Sequence, residues 1–213
     1  MNWTSAAWIL GSYLLGSVSF AYLVGKWVSG IDIRTVGSGN LGATNVGRAC
    51  GRKWGFLVYF LDFLKGLVPV LIAVHLLGDP LLFGEAVPLA LLMGGAAVLG
   101  HCFPVWLRFK GGKGVATTSG AVLALIPAAT LAALGAFLVG VLATKRMAVG
   151  SCLAALALPL AHLLITWPET FDRPRHLAVF WFCSILGILV VVLHRTNIAR
   201  ILDGTEPRIG DGI

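Results

Sequence analysis

The sequence predicts an all-α integral membrane protein crossing the bilayer about seven times, N-terminus outside and C-terminus in the cytoplasm. Three observations predict it. Of 213 residues, 58% are hydrophobic and 12% charged, about half the ~25% charged residues of soluble domains, and one soluble core could not hide so much apolar surface. The apolar residues run on continuously, near the ~20 residues a spanning helix takes, instead of alternating as in a membrane barrel. Lys and Arg gather in a few short segments, which marks those segments as cytoplasmic.

The spans follow in order. Residues 3–28 form the first, and a polar stretch, 29–53, follows. Residues 54–77 form the second, and Gly78-Asp79-Pro80 turns the chain. Residues 82–107 form the third and end in the basic string Arg108-Phe-Lys110-Gly-Gly-Lys113-Gly. Residues 115–144 carry no charge. As one helix they would reach ~45 Å against a hydrocarbon core of ~30 Å; as two they break near Pro127. Charge parity decides for two. The stretch 29–53, the Arg108–Lys113 loop, the Lys145-Arg146 pair and the tail 194–213 hold nearly all the basic residues. Placing all four on one side requires an even number of crossings between each pair, hence a hairpin. Residues 147–167 and 177–193 complete the set, around a polar loop at 168–176. No repeat or linker divides the chain, so residues 1–213 read as a single membrane domain.

The same composition excludes a soluble enzyme, a disordered chain, collagen and a disulfide scaffold. Cys50, Cys102, Cys152 and Cys183 lie far apart with no metal-ligand spacing, and read as free buried thiols. Much of the 27-residue glycine content reads as close helix packing. The net charge of +7 is first a topology signal and calls for no nucleic acid. The first apolar run has no basic n-region and is not a cleavable leader.

Chemistry is therefore sought in the polar segments. The first motif is Val36-Gly-Ser-Gly-Asn-Leu-Gly-Ala-Thr-Asn-Val-Gly-Arg48. Glycines alternating with Ser38, Asn40, Thr44 and Asn45, with Arg48 after them, are the parts of an oxyanion or phosphate nest. The bland alternative is a flexible connector. The second is Gly100-His-Cys-Phe-Pro-Val-Trp-Leu-Arg-Phe-Lys-Gly-Gly-Lys-Gly114. Gly-Gly-Lys-Gly opening an apolar helix offers N–H groups and an ammonium to an anion; the alternative is basic anchoring at the membrane face. It is no Walker A loop, because Leu107 stands where the first glycine belongs and Gly114 where Ser or Thr belongs. His101 reads as either structural or functional. In the third motif His194, Asn197 and Arg200 share a helix face at i, i+3, i+6, ahead of Glu206. Asp62 and Lys65, at i, i+3 within the second span, read as a structural ion pair, and His75 and His162 as satisfied core residues.

Together the three motifs strongly resemble those of the bacterial acyl-phosphate:glycerol-3-phosphate acyltransferases, the PlsY family, over essentially the whole chain. The matching strings are Gly-Ser-Gly-Asn-Leu-Gly-Ala-Thr-Asn-Val-Gly-Arg, Phe-Lys-Gly-Gly-Lys-Gly-Val-Ala-Thr and His-Arg-Thr-Asn-Ile-Ala-Arg-Ile-Leu-Asp-Gly-Thr-Glu. The resemblance implies a multi-pass protein of the bacterial inner membrane with its site on the cytoplasmic face. It implies transfer of a fatty acyl group from acyl phosphate to the 1-position of glycerol 3-phosphate, giving lysophosphatidic acid, without acyl-CoA, acyl carrier protein, metal or other cofactor. It implies Ser38, Arg48, Lys113, His194 and Asn197 as catalytic. Gly39, Asn40, Gly42, Thr44, Asn45, Gly111, Gly112 and Gly114 would hold phosphate, and His101, Arg195, Arg200 and Glu206 would support the site.

The residues fit such chemistry. Acyl phosphate is already activated, so no acyl-enzyme is needed and the protein's task is positioning and charge stabilisation. No histidine is followed five residues later by aspartate, and no Gly-x-Ser-x-Gly elbow occurs. A donor phosphate oxygen taking the hydroxyl proton is favoured over His194 as general base, since no carboxylate lies at helical spacing to orient that ring. A permease for a phosphorylated solute is the rival class, but it would set its polar sites at midplane between repeats.

Overall fold

The computed structural model describes residues 3–82 and 87–211, which form two compact units, one of residues 3–80 and 89–124, the other of 81–82, 87–88 and 125–211. The first unit holds α1 (Trp3–Gly16), α2 (Phe20–Ser29), α3 (Ala43–Cys50), α4 (Arg52–Leu71), α5 (Leu89–Cys102) and α6 (Val115–Leu125). The second holds α7 (Pro127–Thr144), α8 (Met147–Thr166), α9 (Glu169–Asp172), α10 (Pro174–Leu193) and α11 (Arg195–Leu202), with a two-residue antiparallel pairing of Leu81–Leu82 and Val87–Pro88. Among the described residues six helical segments are long and apolar enough to span a bilayer, and α6 is a shorter apolar seventh.

The expected break near Pro127 falls at Ile126 (φ −143°, ψ 64°), with Pro127 opening α7. Proline pushes its predecessor out of the helical region and pre-sets its own φ at a first helical position. The two pieces are 11 and 18 residues long, so α6 rises only ~16 Å.

Several expected boundaries move. The first span is interrupted over residues 17–19: Ser17 Oγ donates to Tyr13 O at 2.9 Å, and Ser19 Oγ accepts from Tyr22 N at 3.3 Å as the cap of α2. The polar stretch 29–53 is partly helical, since α3 and the start of α4 lie in it. Gly51 allows this corner with φ 102°, ψ 154°, backbone that L side chains avoid. The second span passes into a five-residue π turn, Ile72–Leu76, after Pro69 removes a helix donor. The third span begins at Leu89, where Asp79 Oδ1 accepts the Ala90 N–H at 2.8 Å; residues 83–86 lie outside the described residues. It ends at Cys102, with a 3-10 turn at Val105–Leu107. The loop 168–176 is shortened by α9 and by α10 starting at Pro174.

Glycine serves packing, as expected. In the first unit a Cβ on Gly16 would strike Ala97 backbone, one on Gly66 Thr117 O, and one on Gly120 Phe63 O. In the second, Gly140 lies against Gly150, and Gly187 against Ala155 O. Backbones can approach this closely only where no side chain intervenes. Two expectations need correction: His75 is exposed, not core, and Cys50 and Cys152 are half-buried, though among the described residues none of the four cysteines forms a disulfide. His162 is buried, with Nε2 donating to His176 O at 3.2 Å.

Candidate functional site

The first motif is a loop closed on itself by Asn45. This residue lies on α3, 2% exposed. Its Nδ2 donates to Ile33 O at 3.0 Å and Val36 O at 3.1 Å, while its Oδ1 accepts the Ser38 N–H at 3.1 Å. Gly37 has φ 57°, and a Cβ there would collide with Asn45 Oδ1. The Gly39 N–H donates to Val36 O at 3.0 Å, and the Asn40 N–H to Ser38 Oγ at 3.4 Å. Asn45 thus spends both amide protons on the loop and clamps it. The Gly39 N–H closes a turn. The loop still offers side chains and the first-turn N–H groups of Ala43 and Thr44, which have no intrahelical carbonyl to bond. Ser38 and Thr44 are exposed; Arg48 is half-buried, four residues beyond Thr44 on the same face of α3. Gly42 caps α3 without a side-chain bond and lies against Asn40 Nδ2.

The second motif meets the first. A Cβ on Gly112 would lie 2.8 Å from Leu41 O and would collide with the His101 ring at Nε2. The Gly111 and Gly112 N–H groups donate to Cys102 O (3.1 Å) and His101 O (3.0 Å). They satisfy the orphan carbonyls at the end of α5. These two N–H groups are engaged by α5, and the turn runs close against the His101 ring and neighbouring backbone, where a Cβ would not fit. Lys113, half-buried, and Gly114 (φ 80°) follow at the entry of α6, whose Thr118 N–H bonds Gly114 O at 2.7 Å. Oriented first-turn N–H groups beside an ammonium form an anion-attracting end. The hydroxyls of Thr117 and Thr118 are buried with no hydrogen-bond partner among the described residues. Sequence reasoning missed them; the signal was two hydroxyls in the first turns of an otherwise apolar helix.

His101 is buried beneath this turn. Its Nδ1 lies 3.1 Å from Lys65 Nζ, which also contacts Asp62 Oδ1 at 2.9 Å, Gly16 O at 3.0 Å and Val18 O at 2.9 Å. At the rim of the first motif, Arg34 clasps Asp32 at 2.6 Å. Hydrogen bonds from Arg34, side chain first and backbone second, hold the Asp32 carboxyl at about 2.

In the second unit, His194 ends α10, with Nδ1 2.8 Å from Val190 O. A carbonyl only accepts, so Nδ1 carries the proton and a neutral His194 presents a lone pair at Nε2. The ring thus has an orienter after all, a backbone carbonyl that a scan for carboxylates could not find. Asn197 Nδ2 donates to Glu206 Oε1 at 2.6 Å, and Arg200 Nε donates to Glu206 Oε2 at 2.7 Å. Gly204 (φ 73°) folds the chain back, so that the Glu206 N–H reaches Arg200 O at 3.0 Å. Arg195 is exposed, with Nη1 3.4 Å from Val192 O. The first unit therefore gathers the first two motifs and His101, and the second gathers the third motif. Among the described residues no three His, Cys, Asp or Glu form a metal-binding group.

A family model described as glycerol-3-phosphate acyltransferase matches residues 6–204. A glycerol-3-phosphate acyltransferase of Trichlorobacter lovleyi is 43% identical over 94% of this chain and 95% of its own. One of Myxococcus xanthus is 43% identical over 96% of this chain and 99% of its own. A crystal structure of PlsY (YgiH), an integral membrane glycerol 3-phosphate acyltransferase in its glycerol 3-phosphate form, matches with TM-score 0.85 and 39% identity, covering 97% of this chain and 96% of the other. A lysophosphatidic acid form matches with TM-score 0.82 and 38% identity, covering 96% and 95%.

Proposed function

The chain belongs to the glycerol-3-phosphate acyltransferase family, and on that premise we propose that it moves a fatty acyl group from acyl phosphate to the 1-hydroxyl of glycerol 3-phosphate, releasing lysophosphatidic acid and phosphate. The observation that carries the reading is the contact of the Gly112 turn with Leu41 of the first motif, which joins Lys113 and the Ser38–Arg48 loop in one polar assembly. Two phosphorylated substrates repel one another. An assembly of ammonium, guanidinium and helix-entry N–H groups offsets that repulsion.

Arg48 and Lys113 would hold phosphate, with Ser38, Thr44 and the α3 and α6 entries donating around it, and Gly42 and Gly114 would keep those entries open. Gly39, Gly111, Gly112 and Asn45 shape the loops, and Asn40 flanks Gly42. In the second unit His194 and Asn197 would serve the same reaction, with Arg200 and Glu206 holding Asn197. A neutral His194 can accept at Nε2 a hydrogen bond from the 2-hydroxyl of glycerol 3-phosphate, which leaves the proton of the attacking 1-hydroxyl to another acceptor. Its orienter is a neutral carbonyl, which stabilises an imidazolium less than a carboxylate would, and Glu206 is engaged by Asn197 and Arg200. The hydroxyl proton therefore passes to a donor phosphate oxygen as the C–O bond forms and the acyl–phosphate bond breaks. No metal, carrier protein or CoA enters this scheme.

The basic segments favour a cytoplasmic face for the motifs with the N-terminus outside, and the family likeness favours a bacterial inner membrane. A cysteine beside Lys145 should be labelled from the cytoplasmic side alone; labelling from outside contradicts this topology. Donor choice tests the reaction: purified protein in lipid micelles should acylate glycerol 3-phosphate from acyl phosphate. Equal turnover with acyl-CoA would overturn the donor assignment.

A further inference from the structure

We infer that the membrane-buried trio Asp62, Lys65 and His101 is a positioning device for the Lys113 turn, so that an ion pair inside the first unit tunes affinity for glycerol 3-phosphate. The inference rests on the reading of Lys113 as a phosphate ligand. Asp62 and Lys65 are each 2% exposed and His101 7% exposed. Ionisable groups at such depth are costly unless paired, and their retention asks for a reason.

The Lys65 ammonium has three protons, which go to Gly16 O, Val18 O and His101 Nδ1, while Asp62 pairs with it by charge. Gly16 O and Val18 O, at 3.0 and 2.9 Å, are carbonyls released where α1 breaks from α2. Asp62 Oδ1 lies at 2.9 Å and His101 Nδ1 at 3.1 Å. An ammonium only donates, so Nδ1 accepts and the proton of a neutral ring sits on Nε2. The His101–Asp62 separation of 3.6 Å is too long for a direct hydrogen bond. Lys65 therefore fixes the ring. The opposite edge of that ring, Nε2, bears on Gly112, while the His101 carbonyl holds the Gly112 N–H at 3.0 Å. Lys113 is the next residue. One side chain thus ties the broken end of α1, the end of α5 and the turn carrying the phosphate ligand. A merely structural ion pair would need no histidine pressed against that glycine.

The test measures the Michaelis constants of both substrates for Asp62→Asn, Lys65→Arg and His101→Asn, each alone and combined with Lys113→Ala. Each single variant should raise the constant for glycerol 3-phosphate about three- to twentyfold, leave that for acyl phosphate unchanged, and add nothing once Lys113 is Ala, because residues acting through one group are non-additive. If Asp62→Asn fails to accumulate in the membrane, Lys65→Arg, which keeps charge and donors but shifts them, carries the same comparison. Unchanged constants overturn the inference. So does an effect of equal size on both substrates or in both backgrounds. If Lys113→Ala alone leaves the glycerol 3-phosphate constant untouched, the phosphate-ligand reading itself fails, and the outcomes are thereby distinguished.

Discussion

Glu206 Oε1 accepts the Asn197 amide at 2.6 Å, and the other oxygen of the same carboxylate takes Arg200 Nε at 2.7 Å. A helix, α11, is thus pinned to the chain that leaves it by a buried acid serving two residues three apart. Removing the acid takes one charged acceptor from a buried amide and from a half-buried guanidinium. Hydrogen bonds to charged groups are worth about 1.5–3 kcal/mol. Glu206→Ala should lower both thermal stability and turnover. Glu206→Gln, which keeps an acceptor for Asn197, should fall between it and wild type. Full activity in Glu206→Ala would show that the pin does not matter.

Asn45 makes the corresponding closure in the first motif, with three bonds to Ile33, Val36 and Ser38. Asn45→Ala would leave those backbone groups to find other partners, at a cost of about 1–3 kcal/mol for each buried group left unpaired. Asn45→Asp is the sharper probe: its carboxylate accepts but cannot donate to the two carbonyls. Both variants should lose thermal stability in micelles and acylation rate together. A stable, slow Asn45→Ala would instead indicate direct contact with substrate.

Gly112→Ala adds a methyl that must displace the His101 ring or Leu41 O. The shift moves Lys113, so the glycerol 3-phosphate Michaelis constant should rise with the protein still folded. Steady-state kinetics that leave both that constant and the rate unchanged would count against this turn as the phosphate site.

His194 separates the proton-transfer schemes. With its Nδ1 committed to Val190 O, its part is to accept at Nε2, and a carboxamide oxygen can partly stand in. His194→Asn or His194→Gln should keep activity well above His194→Ala. A common floor for all three variants would favour general-base catalysis.

What could be read in the sequence follows the range of each interaction. The spans, the break at Pro127 and the three motifs are local or compositional features, and a single string carries them. The interruption of the first span was missed because its cause lies elsewhere: two carbonyls can be released there only because Lys65, from another helix, receives them. The free N–H groups expected at Gly111 and Gly112 were a local inference, and the end of α5 claims them instead. The Val190 carbonyl that orients His194 leaves no trace in residue identity, because every residue has one.

The most direct measurement is the stoichiometry of a single purified preparation. Supplied with acyl phosphate and glycerol 3-phosphate, it should release one inorganic phosphate for each 1-acyl lysophosphatidic acid formed. Release should stop when glycerol 3-phosphate is withheld and fall about ten- to a hundredfold in Lys113→Ala, the scale of one charge-assisted contact. Phosphate release that continues without glycerol 3-phosphate, or that proceeds undiminished in Lys113→Ala, would contradict the account.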